Sequence, residues 1–329
     1  MSDALPEGIH QFLGDTDWKG AEIAPLVGDA SFRRYFRLRM GGKSALLMHA
    51  PPPHEDPAPF IHVARWLDEN GMRAPHILAH NSAEGWVLIE DFGDQRMREW
   101  IDEHPGDEHH VYAQAIDALV RLHRLPPGPF DPYDMEVYRR EVDLFTEWYC
   151  PAMRLNIDTA GWRAAWDEAL APLLGRQAPG VTVLRDYHAE NIMLLEPGRL
   201  AGAQGLIDFQ DALVGHPAYD LVSLLQDARR DVSEALEHDM LCRYRAAADP
   251  DDHFEADYAR LGAQRNVKIV GIFTRLWKRD GKDRYLSMIP RVWTAMERDL
   301  SHEAMAPVAR WFADNIPQQI RDAAGGKVQ

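Results

Sequence analysis

Cysteine, cationic charge and long apolar runs are all scarce in this chain of 329 residues. Its two cysteines, Cys150 and Cys242, stand far apart and in no motif. That excludes a disulfide framework or a thiolate metal cluster and points to reduced thiols in a cytoplasmic protein. Lys and Arg number 36 against 52 Asp and Glu, for a formal net charge of −16 and a pI of about 5.3. So acidic a body repels nucleic-acid phosphates and anionic lipid, and neither nucleic acid nor a membrane is an expected partner. Solubility alone also explains the charge. No apolar stretch approaches the roughly 18 residues of a membrane helix. The opening MSDALPEGIHQFLGD lacks the basic start and apolar run of an export signal. Internal repeats and low-complexity tracts are absent. What is there is a chain 46% hydrophobic and 27% charged, enough apolar material for one two-lobed domain or two ordinary ones.

From Ile23 to Ile89 the chain reads as strands and turns with one helix. Phe32 to Met40 is strand-like, Gly41-Gly42 makes a turn, and Ser44 to Met48 completes a β-hairpin. Proline-rich 51–59 is a loop, and Phe60 to Asn70 is an amphipathic helix stopped by Gly71. Trp86 to Ile89 is a short apolar strand. Beyond it the spacing predicts helices over Val111–Leu125, Val137–Met153 and several stretches from Ala218 onward. Short apolar strands at Val181–Leu184, Ile192–Leu195 and Leu206–Asp208 interrupt them. The expected architecture is α+β and two-lobed, with a small β-rich N-lobe over 1–93 and a larger helical C-lobe over 94–329.

The chemistry concentrates in Asp186-Tyr-His-Ala-Glu-Asn191, followed by Ile207-Asp208-Phe209. Phosphoryl transfer needs a carboxylate to orient the attacking hydroxyl and hard oxygen ligands to hold Mg²⁺ on a triphosphate. Asp and Asn five positions apart, with a second Asp downstream at a strand end, supply those groups. The segment resembles the D-x-H-x-x-N loop of aminoglycoside phosphotransferases and related small-molecule kinases of protein-kinase-like fold. Ile207-Asp208-Phe209 is similar to their metal-binding segment, and Gly215-His-Pro-Ala-Tyr-Asp220-Leu to the stretch that follows it. The resemblance implies Asp186 as base, Asn191 and Asp208 as Mg²⁺ ligands, Asp220 as a brace of the loop, and His188 in a structural role. Asp91-Phe92-Gly93 spells a kinase metal triplet but precedes the loop. Ile89 to Asp94 resembles the inter-lobe hinge instead, where backbone groups of Glu90 and Phe92 would meet adenine. Leu184 stands where the family usually has histidine.

Gly28-Asp29-Ala30-Ser31 lies where such folds place the loop over the nucleotide phosphates, and it also reads as an ordinary hairpin entry. Met48 occupies the place of the phosphate-binding lysine. The following helix offers no facing glutamate, Glu69 lying at its far end. Either the chain is a non-catalytic nucleotide binder, or Mg²⁺, backbone amides and Arg33 or Arg34 do the lysine's work. Gly28 to Arg37, Met48 to Pro52 and Gln264 to Leu276 resemble bacterial anomeric sugar kinases of cell-wall recycling. Those enzymes use ATP to phosphorylate the C1 hydroxyl of N-acetylmuramate or N-acetylglucosamine, so the expected substrate is a small sugar and the expected cofactors are ATP and Mg²⁺. A sugar pocket wants an aromatic face beside fixed polar groups. Glu141, Phe145 and Trp148 supply both at helical spacing, although core packing explains the aromatics equally well. Arg265, Lys268, Arg275 and Lys278 are candidate cations for the muramate carboxylate, or else a solvated helix face. An aminoglycoside acceptor and a nucleotide-binding pseudokinase are the other functions open to this pattern.

Overall fold

The computed structural model describes residues 5–26, 33–195 and 204–327. Five strands come first in the chain: β1 (Glu22–Leu26), β2 (Arg34–Met40), β3 (Lys43–His49), β4 (Ile77–Asn81) and β5 (Trp86–Glu90). With them come α1 (Ile9–Gly14), α2 (Ala58–Glu69) and α3 (Met97–Glu103). Four three-residue strands follow: β6 (Val181–Val183), β7 (Ile192–Leu194), β8 (Gln204–Leu206) and β9 (Leu213–Gly215). The remaining helices are α4 (Glu108–His123), α5 (Met135–Leu144), α6 (Cys150–Ala152), α7 (Thr159–Arg176), α8 (Ala218–Leu225), α9 (Glu234–Ala248), α10 (Phe254–Asp280), α11 (Ile289–Leu300), α12 (Ala306–Asn315) and α13 (Gln318–Asp322).

The chain divides into two compact units, the first made of Met1–Glu103 with Glu190–Asp211, the second of His104–Ala189 with Ala212–Gln329. In the first, an antiparallel sheet of order β1-β2-β3-β5-β4 is built on alternation. Phe36 and Leu38 on β2 face Leu47 and Ala45 on β3, and Trp86 and Leu88 on β5 continue that face. Ile9 and Leu13 of α1 cover it, and together these side chains form a buried cluster. The β7–β8 hairpin belongs to this unit. Leu206 N–H donates to the Arg73 carbonyl and Leu194 N–H to the Gln95 carbonyl, which fixes the hairpin beside α3.

The second unit is helical. Its centre is α10, 27 residues long and buried along most of its length, with α5, α8 and α11 packed on it. Phe145–Tyr149, between α5 and α6, is a π-helical turn. Phe145 lies fully buried among Tyr149, Trp162, Trp293 and Phe312, with ring centroids 4.8–6.1 Å away. Strand β6 pairs antiparallel with β9 across a long stretch of sequence. Among the described residues no helix is long and apolar enough to cross a membrane.

Candidate active site

The unit boundary falls inside the motif: Asp186 to Ala189 belong to the second unit, Glu190 and Asn191 to the first. In the first unit, β7 starts immediately after Asn191 and β8 ends two residues before Asp208, so the hairpin sets both side chains. Ile207 N–H donates to the Asn191 carbonyl at 3.1 Å. The Asn191 amide donates to Asp208 Oδ2 at 3.2 Å, and Gln210 Nε2 donates to Asp208 Oδ1 at 3.0 Å. Asp208 has φ of 60°, a left-handed conformation uncommon outside glycine. Phe209 anchors the turn by stacking on Phe60 of α2 at 5.1 Å. A carboxylate and a carboxamide side by side supply oxygens that suit a small hard cation, because Mg²⁺ takes one or two protein oxygens and completes its shell with water and phosphate. The donor set fits that ion, and no cluster of three or more His, Cys, Asp or Glu suited to another metal occurs among the described residues.

The other first-unit candidates separate clearly. Gly28, Asp29, Ala30 and Ser31 lie outside the described residues. Met48 is buried in β3 and its sulfur accepts the Tyr35 hydroxyl at 3.4 Å. Arg33 Nε pairs with Glu55 at 3.2 Å, both side chains mostly buried, a carboxylate that sequence reading missed because it sits in the proline-rich loop. Burial raises the Tyr35 hydroxyl above its usual range, against Arg33 and with Asp208 and Glu55, so these groups share one electrostatic neighbourhood. Arg34 stacks over Phe36 at 5.1 Å. Glu90 ends β5; its N–H is committed to the His76 carbonyl and its carboxylate to Arg73. Phe92 lies under the Arg73 guanidinium at 4.7 Å, and a Cβ on Gly205 would stand 2.7 Å from its ring, so only glycine fits there. Asp91 is paired with Arg37 Nε at 2.8 Å and accepts Gly93 N–H at 2.9 Å. Its carboxylate is held by β2, not offered to a metal.

In the second unit Asp186 follows β6. Asp220, on α8, accepts Leu184 N–H at 2.7 Å and Arg185 N–H at 2.8 Å, and burial pushes its carboxyl up to about 7 against the pull of those amides. The backbone N–H of the buried His188 donates to the Asp186 carbonyl, and its ring Nε2 lies 3.1 Å from Arg229. Asp227, another carboxylate the sequence did not signal, accepts Ala189 N–H at 3.3 Å and Arg229 N–H at 2.8 Å.

The acceptor candidates divide into packed and partly exposed groups. Phe145 belongs to the aromatic core, and its burial leaves no face for a sugar. Trp148, on the same π-helical turn, is half-buried. Glu141 is buried, accepting from Tyr133, Arg185, Gln264 at 2.9 Å and Lys268 at 2.8 Å. Burial alone would raise its carboxyl, but Lys268 and Arg185 outweigh that and hold it at about 2. Lys268 also donates to the Tyr219 hydroxyl at 3.2 Å. Arg265 is buried within electrostatic reach of Asp220. Lys278 stacks over Trp277 at 3.9 Å, and burial lowers the Arg275 guanidinium.

A model of the phosphotransferase enzyme family matches residues 22–263. The chain belongs to that family. An N-acetylmuramate/N-acetylglucosamine kinase of Pseudomonas aeruginosa is 39% identical over 309 residues, covering 90% of this chain and 89% of that protein. Three further relatives, each 36% identical, share its name. Among solved structures, a choline/ethanolamine kinase family protein from Mesorhizobium loti superposes with a TM-score of 0.62 at 14% identity, covering 90% of this chain and 93% of its own. ADP-bound aminoglycoside phosphotransferase APH(2'')-Ib gives 0.58 at 12% identity, covering 90% of this chain and 99% of its own. The fold is therefore the two-lobed α+β protein-kinase-like one, and the enzyme is a phosphotransferase that uses an alcohol as acceptor.

Proposed function

We propose that this phosphotransferase moves the γ-phosphoryl group of ATP onto the anomeric C1 hydroxyl of N-acetylmuramate or N-acetylglucosamine, giving the sugar 1-phosphate and ADP for reuse of cell-wall sugar in the cytoplasm. The observation that carries this reading is the 39% identity, over 90% of the chain, to a kinase named for those two sugars. The nucleotide-bound kinase-like neighbours support nucleotide as the donor.

In this reading Asp186 accepts the proton of the C1 hydroxyl as that oxygen attacks the γ-phosphorus and the bond to the β-phosphate oxygen breaks. Asn191 and Asp208 would hold Mg²⁺, which when bound neutralises charge on the β- and γ-phosphates. Asp220 braces the segment carrying Asp186 through two backbone amides, and His188 supports it from within. Glu90 and Phe92 border the adenine. Gly28 to Ser31 would cover the phosphates with backbone amides. Met48 leaves no cation at the lysine's position on β3, so Arg33, steadied by Glu55, takes the lysine's place, with Arg34 beside it. On the acceptor side Trp148 offers a ring face, while Arg265 and Lys268 add positive charge suited to the muramate carboxylate.

The test is a panel of N-acetylmuramate, N-acetylglucosamine and an aminoglycoside with ATP and Mg²⁺, read by ³¹P NMR. New phosphomonoester signal with the two amino sugars alone is expected. Transfer to the aminoglycoside alone would reassign the acceptor, and nucleotide binding without transfer would make the chain a pseudokinase.

A further inference from the structure

Asp186 is preceded by an unusual turn. Its N–H donates to the Leu184 carbonyl at 2.9 Å, two residues back, and the residue between, Arg185, has φ of 70°. That is the positive-φ form of the γ-turn, rare and strained, and an arginine there bears the Cβ penalty that glycine escapes. A strained residue persists where its surroundings over-determine it, and such residues concentrate where a neighbouring group must be aimed.

Arg185 is held through its backbone N–H, its carbonyl and its guanidinium. Its N–H is on Asp220, its carbonyl accepts the Ser223 hydroxyl at 3.1 Å, and its guanidinium is paired with Glu141 and lies 5.7 Å over the Tyr133 ring. Glu141 is in turn fixed by Lys268, Gln264 and Tyr133. The chain of contacts runs from α10 and α5 through one side chain to the backbone next to Asp186. We propose that Arg185 is a positioning residue: the Glu141–Arg185 tether holds the strained turn that aims Asp186, and it sets turnover without touching nucleotide. The proposal rests on Asp186 being the base. Because Glu141 keeps Lys268, Gln264 and Tyr133 when the guanidinium is removed, variants at 185 retain a partnered carboxylate and fold.

Arg185→Ala, Arg185→Gly and Arg185→Lys distinguish tether from strain. Ala keeps the strain and loses the tether, Gly loses both, and Lys keeps a cation without the fork. With ATP, Mg²⁺ and N-acetylmuramate, kcat should fall roughly ten- to a hundredfold in Ala and Gly, the scale of misplacing a reacting group by about an ångström. KM for ATP should stay within about twofold, and Lys should recover part of the loss. Equal kcat in Ala and wild type, or a rise in KM for ATP at unchanged kcat, overturns the proposal. Amide hydrogen exchange over Val183–Ala189 gives a reading independent of the acceptor. It should quicken in Ala and Gly and return toward wild type in Lys. If the wild-type enzyme phosphorylates no amino sugar, the functional reading fails, and unchanged exchange in Ala then overturns the tether on its own.

Discussion

In the proposed mechanism Asp186 and Asp208 carry different tasks, and their substitutions should fail differently. Asp186→Asn keeps shape and loses the proton acceptor, so kcat should drop by roughly 10²–10⁴ while nucleotide affinity holds. Asp208→Ala should abolish turnover and also weaken Mg·ATP binding; calorimetry with and without Mg²⁺ separates the two. Replacing Arg33 by Ala, or Glu55 by Gln, should raise KM for ATP, with the larger effect at Arg33. A charge-assisted contact of about 1.5–3 kcal/mol corresponds to roughly a ten- to hundredfold loss in kcat/KM. Unchanged ATP kinetics in Arg33→Ala would return the phosphate contact to the backbone. Glu141 gives a pH signature. Its folded carboxyl sits at about 2, below the ordinary 4.5, so ionisation stabilises the fold above 4.5 and that stabilisation is lost as pH falls toward 2. Glu141→Gln should lower the thermal midpoint at pH 7, and the gap to wild type should narrow below about pH 4.5. A gap independent of pH would remove the ion pair from the explanation. At this scale the sequence singled out Asp186, Asn191, Asp208 and Asp220 because they fall in three short segments in a fixed order. The φ of Arg185 was not: it depends on Glu141, 44 positions away, and nothing in a single arginine codes announces a strained turn.

Helical periodicity placed α4 and α5 within a few residues, and alternation placed β2, β3 and β5. It did not reveal β4, whose Ile-Leu-Ala-His-Asn lacks apolar–polar alternation, or β9, nor that β6 takes β9 as partner, because three-residue strands carry too little pattern to choose a neighbour. The segment from Val137 read as one helix. The structure inserts a π-helical turn at Phe145–Tyr149, and that register decides which aromatics enter the core. Phe145 goes inward and Trp148 stays half-exposed. Opposite this region, Gly271 of α10 lies against α5: a Cβ there would stand 2.4 Å from the Leu144 carbonyl carbon. Backbone cannot yield as a side chain does, so Gly271→Ala should cost about 1–3 kcal/mol. A thermal midpoint within a degree of wild type would show that the two helices separate freely.

At the scale of the whole molecule, the β-rich start and helical remainder are visible in the order of apolar patterns. The discontinuity is not. Residues 190–211 cluster with the sheet unit through backbone bonds to Arg73 and Gln95, which no local propensity encodes. The consequence is that the motif from Asp186 to Asn191 is built from two packing environments, one ending in the Asp220 brace and the other in the β7–β8 hairpin. In the proposed mechanism, a kinase with Met48 at the lysine's position on β3 places its nucleotide with Arg33, Mg²⁺ and backbone amides. Whether the acceptor is the anomeric hydroxyl is decided most directly by a ¹H–³¹P correlation spectrum of the product formed from N-acetylmuramate, ATP and Mg²⁺. The expected result is a ³¹P signal coupled to the anomeric proton. A phosphate coupled to the C6 methylene protons, or no phosphorylated sugar at all, would contradict the assignment of this chain as a sugar 1-kinase.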